Sequence, residues 1–140
     1  MQVMVVWWLS LKMRKINIVA TTNEEWKAQT FYTAPIMDLS CVSEEGNYRY
    51  SSNCSTDGGQ DASSVYALHW TLPEQWMQSN FDDSNWPNAS TYSNETIGVD
   101  NKPSYTNFTS TFDAPQDDAQ FIWSTNVVLD NEVLVRYTVK

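Results

Sequence analysis

Nowhere in the 140 residues does an apolar stripe recur at helical spacing through three turns. Short runs rich in β-branched and aromatic residues alternate instead with clusters of Asn, Asp, Ser, Gly and Pro, the pattern of strands joined by turns. This pattern predicts strands over 2–9, 15–20, 28–33, 64–70, 104–109, 119–124 and 132–139. The last is the cleanest, with Val133, Val135, Tyr137 and Val139 on one side and Leu134, Arg136 and Thr138 on the other. A strand of that kind has one buried and one wetter face. The expected fold class is therefore all-β with antiparallel strands. One or two short helical turns are expected at Thr22-Asn23-Glu24-Glu25 and Thr71-Leu72-Pro73-Glu74, both capping-box matches, each leading to a tryptophan, Trp26 and Trp76.

The length fits one domain, 1–140, and no linker divides it. Seven tryptophans and seven tyrosines are too many for a disordered chain. The formal charge is −9, and four of the eight basic residues (Lys12, Arg14, Lys15 and Lys27) fall in the first 27 positions. The acidic remainder lacks the basic face that releases phosphate counterions, which argues against nucleic acid, and it disfavours an anionic membrane surface. The apolar start, Met1 to Leu11, is shorter than the roughly 20 residues a spanning helix needs. Its charges follow the apolar run, the reverse of a secretory signal. It reads as a buried strand, or as a start placed inside a longer reading frame, and the chain is expected to be part of a longer extracellular protein.

Residues 38–63 read as a loop insertion holding both cysteines, Cys41 and Cys54, separated by twelve residues. A disulfide closing this loop would restrict the unfolded chain by about 3 kcal/mol. The alternative is two free thiols in a reducing compartment. Zinc is disfavoured, since only His69 is available to join the two cysteines. Sequons at Asn53, Asn88, Asn94 and Asn107 make these asparagines candidate N-glycosylation sites and lean towards secretion, hence an extracellular location.

Candidates for chemistry are few. A hydrolytic triad needs a histidine base, and the single histidine, His69, lies on an apolar strand where a core role is the commoner one. With 17 acidic residues, a pair at glycosidase spacing arises by chance. The chain is accordingly read as not an enzyme, with no cofactor. The acidic turns at Asp82/Asp83, Asp117/Asp118 and Asp57/Asp61 offer hard oxygens to a structural Ca2+, without a loop consensus. Tyr48, Tyr50, Tyr92 and Tyr105 lie in polar contexts and are the candidate carbohydrate platforms, since the apolar face of a sugar packs on an aromatic ring.

In Phe81-Asp82-Asp83-Ser84-Asn85-Trp86-Pro87 an aspartate can fold its carboxylate onto amides just ahead and fix a tight corner, while Pro87 holds Trp86 extended. Trp76, this turn, Ala119-Gln120-Phe121-Ile122-Trp123-Ser124 and Asn131-Glu132-Val133-Leu134-Val135-Arg136-Tyr137-Thr138-Val139 together resemble the galactose-binding-like modules of glycoside hydrolases and extracellular proteins. Ile18 to Lys27 resembles the opening segment of the same modules. The pattern departs at Phe121 and Val135, where the family carries a tryptophan and another aromatic. The resemblance covers roughly 16–30 and 70–140 and leaves 31–69 without a counterpart. It implies a jelly-roll β-sandwich with a non-catalytic role, its motif residues serving as core and corner. Function is then expected in 38–63 and around Tyr105. The expected role is a non-catalytic extracellular module binding carbohydrate, or alternatively a structural or interaction module that meets another extracellular protein in an assembly or an adhesive protein.

Overall fold

In a computed structural model of the chain, the structure describes residues 10–12, 18–57, 65–98 and 119–139. The expected strands 2–9 and 104–109 lie outside these residues, as do Asp61, Tyr105, Asn107, Asp117 and Asp118. The described residues form antiparallel strands throughout: β1 (Ser10–Lys12), β2 (Ile18–Thr21), β3 (Lys27–Ile36), β4 (Ser43–Glu45), β5 (Tyr48–Tyr50), β6 (Tyr66–His69), β7 (Ser90–Tyr92), β8 (Phe121–Trp123) and β9 (Asp130–Arg136). No helix among them is long and apolar enough to cross a membrane.

The organising element is β3, the central strand of a three-stranded sheet ordered β6-β3-β9. Its residues Ala28 to Phe31 are all buried, so both faces of the strand are covered. Pairing with β6 slips between Thr33 and Ile36, across Pro35, which has no N–H to give the ladder. Trp26, Ala28, Ala89, Ile122, Trp123 and Val133 form one apolar cluster that joins β3 and β9 to the β7–β8 pair. Val135 and Tyr137 pack against it, as the alternation predicts, and Trp26 stacks on Tyr137 at 5.2 Å between ring centroids, but the strand ends at Arg136 and Val139 is exposed. Truncating the fully buried Ile122 to alanine would cost about 3 kcal/mol.

The acidic corner is structural. Asp82 Oδ1 accepts the Ser84 N–H at 3.0 Å, and the Trp86 N–H donates to Asp83 O at 2.9 Å. Trp86 then meets Phe81 and Phe31 edge-on at 5.5 and 5.7 Å. Arg136 reaches across from β9. It pairs with Asp83 Oδ2 at 2.8 Å, donates to Trp76 O and Gln78 O, and lies 5.1 Å from the centre of the Phe81 ring.

Two expectations are corrected. Neither capping box starts a helix: Thr22 Oγ1 donates instead to Gln120 O at 2.6 Å, and Asn23 Oδ1 takes the Glu25 N–H. The long-range bond wins because Gln120 N–H returns another to Thr22 O, tying this turn to the lead-in of β8. Residues 74–77 form a turn with Gln75 at φ 62°, a left-handed residue that interrupts any helix. The helical turns are elsewhere, a 3-10 turn at Leu39–Cys41 capped by Asp38 and an α-turn, α1 (Asn94–Ile97), capped by Ser93. Nor is 38–63 a bare loop. It contains the β4–β5 hairpin, and its cysteines are joined as Cys41–Cys54, with Cα atoms 5.0 Å apart. Cys54 is buried with Ile36 and Leu129 in a second apolar cluster.

Candidate functional site

The hairpin that the disulfide encloses carries the site. Glu45 and Tyr48 are paired, which leaves Gly46-Asn47 as a two-residue turn. Gly46 takes φ 61°, a conformation the first turn residue needs and a side chain resists. Tyr48 and Tyr50, two positions apart on β5, therefore share one face of the hairpin. Their rings lie 6.1 Å apart with planes 21° from parallel, and Tyr48 is 44% exposed.

Arg49 points the other way and anchors the hairpin. Its guanidinium lies 4.9 Å from the Phe31 ring centre and 4.6 Å from that of Trp70, and it donates to Thr30 O. Burial pulls its pKa down, opposed by the nearby Glu44 carboxylate. A planar, weakly hydrated cation suits this slot better than an ammonium would.

A second anchor follows two residues on, where Ser51 meets Asp130. Asp130, at the start of β9 and 2% exposed, accepts four hydroxyl hydrogen bonds. Thr33 and Ser51 donate to Oδ1 at 2.8 and 2.9 Å, and Thr30 and Ser124 to Oδ2 at 3.1 and 2.6 Å. Its backbone carbonyl accepts Trp123 Nε1–H at 2.9 Å. One carboxylate thus ties together β3, the end of the hairpin, the segment after β8 and β9. Burying a charge is tolerable only when its lone pairs are filled in this way. Asn126 braces the same region, its Oδ1 accepting the N–H groups of Val128 and Leu129 and its Nδ2 donating to Ser51 O.

Between the hairpin, β3, Asn88 and Ser124 runs a narrow groove, with Gln29, Tyr48, Arg49 and Tyr50 in its lining. Its enclosed volume is about 30 Å³. Thr30 and Ser124 also line it, but their hydroxyl hydrogens are committed to Asp130. Asn88 Oδ1 accepts from Lys27 Nζ at 2.8 Å. Gln29 is 2% exposed, and its Oε1 is the one buried side-chain nitrogen or oxygen among the described residues without a hydrogen-bond partner.

Of the four candidate tyrosines, the structure brings Tyr48 and Tyr50 together. Tyr92 lies apart from the groove lining, half-buried against the first apolar cluster, its hydroxyl donating to Ser124 O at 2.5 Å. Burial, with the Asp130 charge nearby, holds its pKa above the usual phenol value despite an opposing hydrogen bond with Ser90. Among the described residues no three His, Cys, Asp or Glu side chains gather as a metal set. Asp82 serves its turn and Asp83 pairs with Arg136. Asn53 and Asn88 are exposed and Asn94 is half-buried at the start of α1. His69 is exposed on β6 with its ring edge-on to Tyr32 at 6.0 Å.

The roles of Asp130, Arg49 and Gln29 have no local sequence signal. Asp130 meets its donors across 6, 79, 97 and 100 positions. No family model, no curated protein and no solved structure matches this chain.

Proposed function

We propose that this chain is a non-catalytic extracellular module that binds carbohydrate in the groove beside Tyr48 and Tyr50, on a galactose-binding-like jelly-roll sandwich. The paired tyrosines carry the reading. They present adjacent, near-parallel rings on a hairpin fixed from behind by Arg49, and a polar groove opens beside them. Aromatic faces take the apolar side of a sugar ring while nearby polar groups bond its hydroxyls. The disulfide supports an oxidising, extracellular setting.

The test is a glycan array followed by calorimetry on the strongest hit. Tyr48→Ala and Tyr50→Ala are each expected to weaken binding about tenfold, the loss of about 1.4 kcal/mol of ring contact. Absence of binding to every glycan, alongside concentration-dependent assembly, refutes the reading. That outcome favours the alternative, a structural or interaction module. Its supporting observation is an open groove of about 610 Å³ and mixed polarity between Trp76–Ser79 and Val135–Val139, with Met77 at 76% exposure and Val139 at 52% among its lining residues.

A further inference from the structure

A sequon opens onto the tyrosine groove. Asn88-Ala89-Ser90 is one of three among the described residues, with those at Asn53 and Asn94, and of the three asparagines only Asn88 lines the groove. Asn88 stands opposite Lys27 in an antiparallel bridge. The Ala28 N–H to Pro87 O and Ala89 N–H to Trp26 O bonds, at 2.9 and 2.7 Å, hold it there. Residues paired across a ladder project to one face, and Lys27 shares its face with Gln29, two positions along β3. The Asn88 side chain therefore leaves the backbone on the face of Gln29, which lines the groove with the hairpin tyrosines.

The amide itself is set up for modification. Asn88 is exposed, and its Oδ1 accepts from Lys27 Nζ at 2.8 Å. That bond occupies the oxygen arm of the amide and leaves Nδ2, the atom an N-glycan takes, on the other arm. Glycosylation forms the bond from Nδ2 to C1 of the first sugar as the C1–O bond to a lipid pyrophosphate donor breaks, and the displaced Nδ2 proton goes to solvent. Oδ1 remains a carbonyl oxygen, so the Lys27 bond survives the change.

We propose that Asn88 is an N-glycosylation site whose first sugars are held in cis by Tyr48 and Tyr50, which makes the chain's own N-acetylglucosamine a ligand of the platform. This inference rests on the carbohydrate reading and names the sugar. The groove, at about 30 Å³, falls far short of a pyranose ring, so the ring lies over the tyrosine faces and only an exocyclic group enters. Tethering supplies occupancy, because a short attachment gives an effective concentration on the order of millimolar. A sugar whose free Kd is likewise about millimolar then covers the platform about half the time, and a glycan from outside binds about twofold more weakly.

The experiment secretes the full chain from a glycosylating eukaryotic host. It compares this material with the same protein after enzymatic release of N-glycans, and with Asn88→Gln, which keeps an amide for Lys27. Peptide mapping is expected to place a glycan on Asn88. NMR is expected to show nuclear Overhauser contacts from sugar-ring protons to the Tyr48 and Tyr50 rings, all lost on release and in Asn88→Gln. N,N′-diacetylchitobiose, titrated as the external sugar, is expected to bind about twofold or more tighter once the glycan is gone. An unmodified Asn88 in the secreted protein overturns the inference, whatever Asn53 and Asn94 carry. An occupied Asn88 without sugar-to-tyrosine contacts overturns it as well, and so does an equal, measurable affinity for diacetylchitobiose before and after release. Contacts that appear while no external glycan binds the released protein support the cis glycan and sink the reading of the groove as a receptor for other glycans.

Discussion

Replacing Asp130 by asparagine changes two heavy atoms' chemistry and none of the shape, so it isolates what the buried carboxylate contributes. The carboxylate accepts from two hydroxyls on each oxygen. An amide keeps one accepting side and turns N–H groups towards the two hydroxyls on the other. If the amide nitrogen takes the Oδ2 side, Ser124 can swing its hydrogen to Asn126 O, 3.2 Å away, and still accept. Thr30 loses its acceptor. The other orientation sets the N–H groups against Thr33 and Ser51. The two surviving bonds lose their charge assistance, about 1 kcal/mol each, and one stranded hydroxyl adds about 1–2 kcal/mol. Removal of a buried charge offsets part of this. The net expectation is a loss of about 3 kcal/mol, which for a domain of this size lowers Tm by about 10 °C. Urea titrations and thermal melts followed by circular dichroism measure it. A double-mutant cycle with Ser124→Ala should show coupling of about 1 kcal/mol or more, since the two groups are 2.6 Å apart. An asparagine variant within about 1 kcal/mol of the parent, or more stable than it, refutes the hub as a source of stability.

Substituting both Cys41 and Cys54 by serine should cost about 3 kcal/mol and weaken the proposed glycan binding with it, because Tyr48 and Tyr50 lie inside the closed loop; melts and titrations with and without reductant check both. Arg49→Lys should lose about 1–2 kcal/mol, since an ammonium cannot fill the slot between Phe31 and Trp70 and still reach Thr30 O in the same geometry; equal unfolding midpoints would contradict this. Tyr92→Phe should cost about 1 kcal/mol at neutral pH through the lost bond to Ser124 O. Tyr92 also sets a pH dependence. Its pKa is raised in the folded state, so the unfolded chain gives up this proton first as pH climbs past about 10, and the contribution to stability is then lost through the folded pKa. The phenylalanine variant should show a flatter alkaline limb than the parent, and parallel limbs would exclude the effect.

The all-β class and five strands, β2, β3, β6, β8 and β9, follow from local patterning, because β-branched and aromatic runs bounded by turn residues, and in β9 a period of two, are written in consecutive residues. The core face of β9 is legible for the same reason. The corner at Phe81–Trp86 is legible from the chemistry of an aspartate beside a turn, although its partner Arg136 is not, standing 53 positions away. The hairpin was hidden because Ser43–Glu45 and Tyr48–Tyr50 are only three residues each and mostly polar, too short to display a period. The platform tyrosines could be named from composition, but their adjacency needed the Gly46 turn. Asp130 defeats local reading altogether. An aspartate ahead of a strand looks like a solvated turn residue until its distant hydroxyls are brought to it. Gln29 is similar, since nothing in Lys27-Ala28-Gln29-Thr30 marks a buried, unsatisfied amide.

The disulfide and the Ser51–Asp130 bond grip the hairpin at its two feet, and Arg49 grips it from behind. All three fastenings use positions other than the tip, Glu44 to Asn47, and the faces of Tyr48 and Tyr50. The outer part of the hairpin is thus an interchangeable fitting on a fixed mount. Transplanting a different sequence between Ser43 and Tyr48 would change the outer edge beside the tyrosine pair while leaving the groove lining and the sheet beneath it as they are.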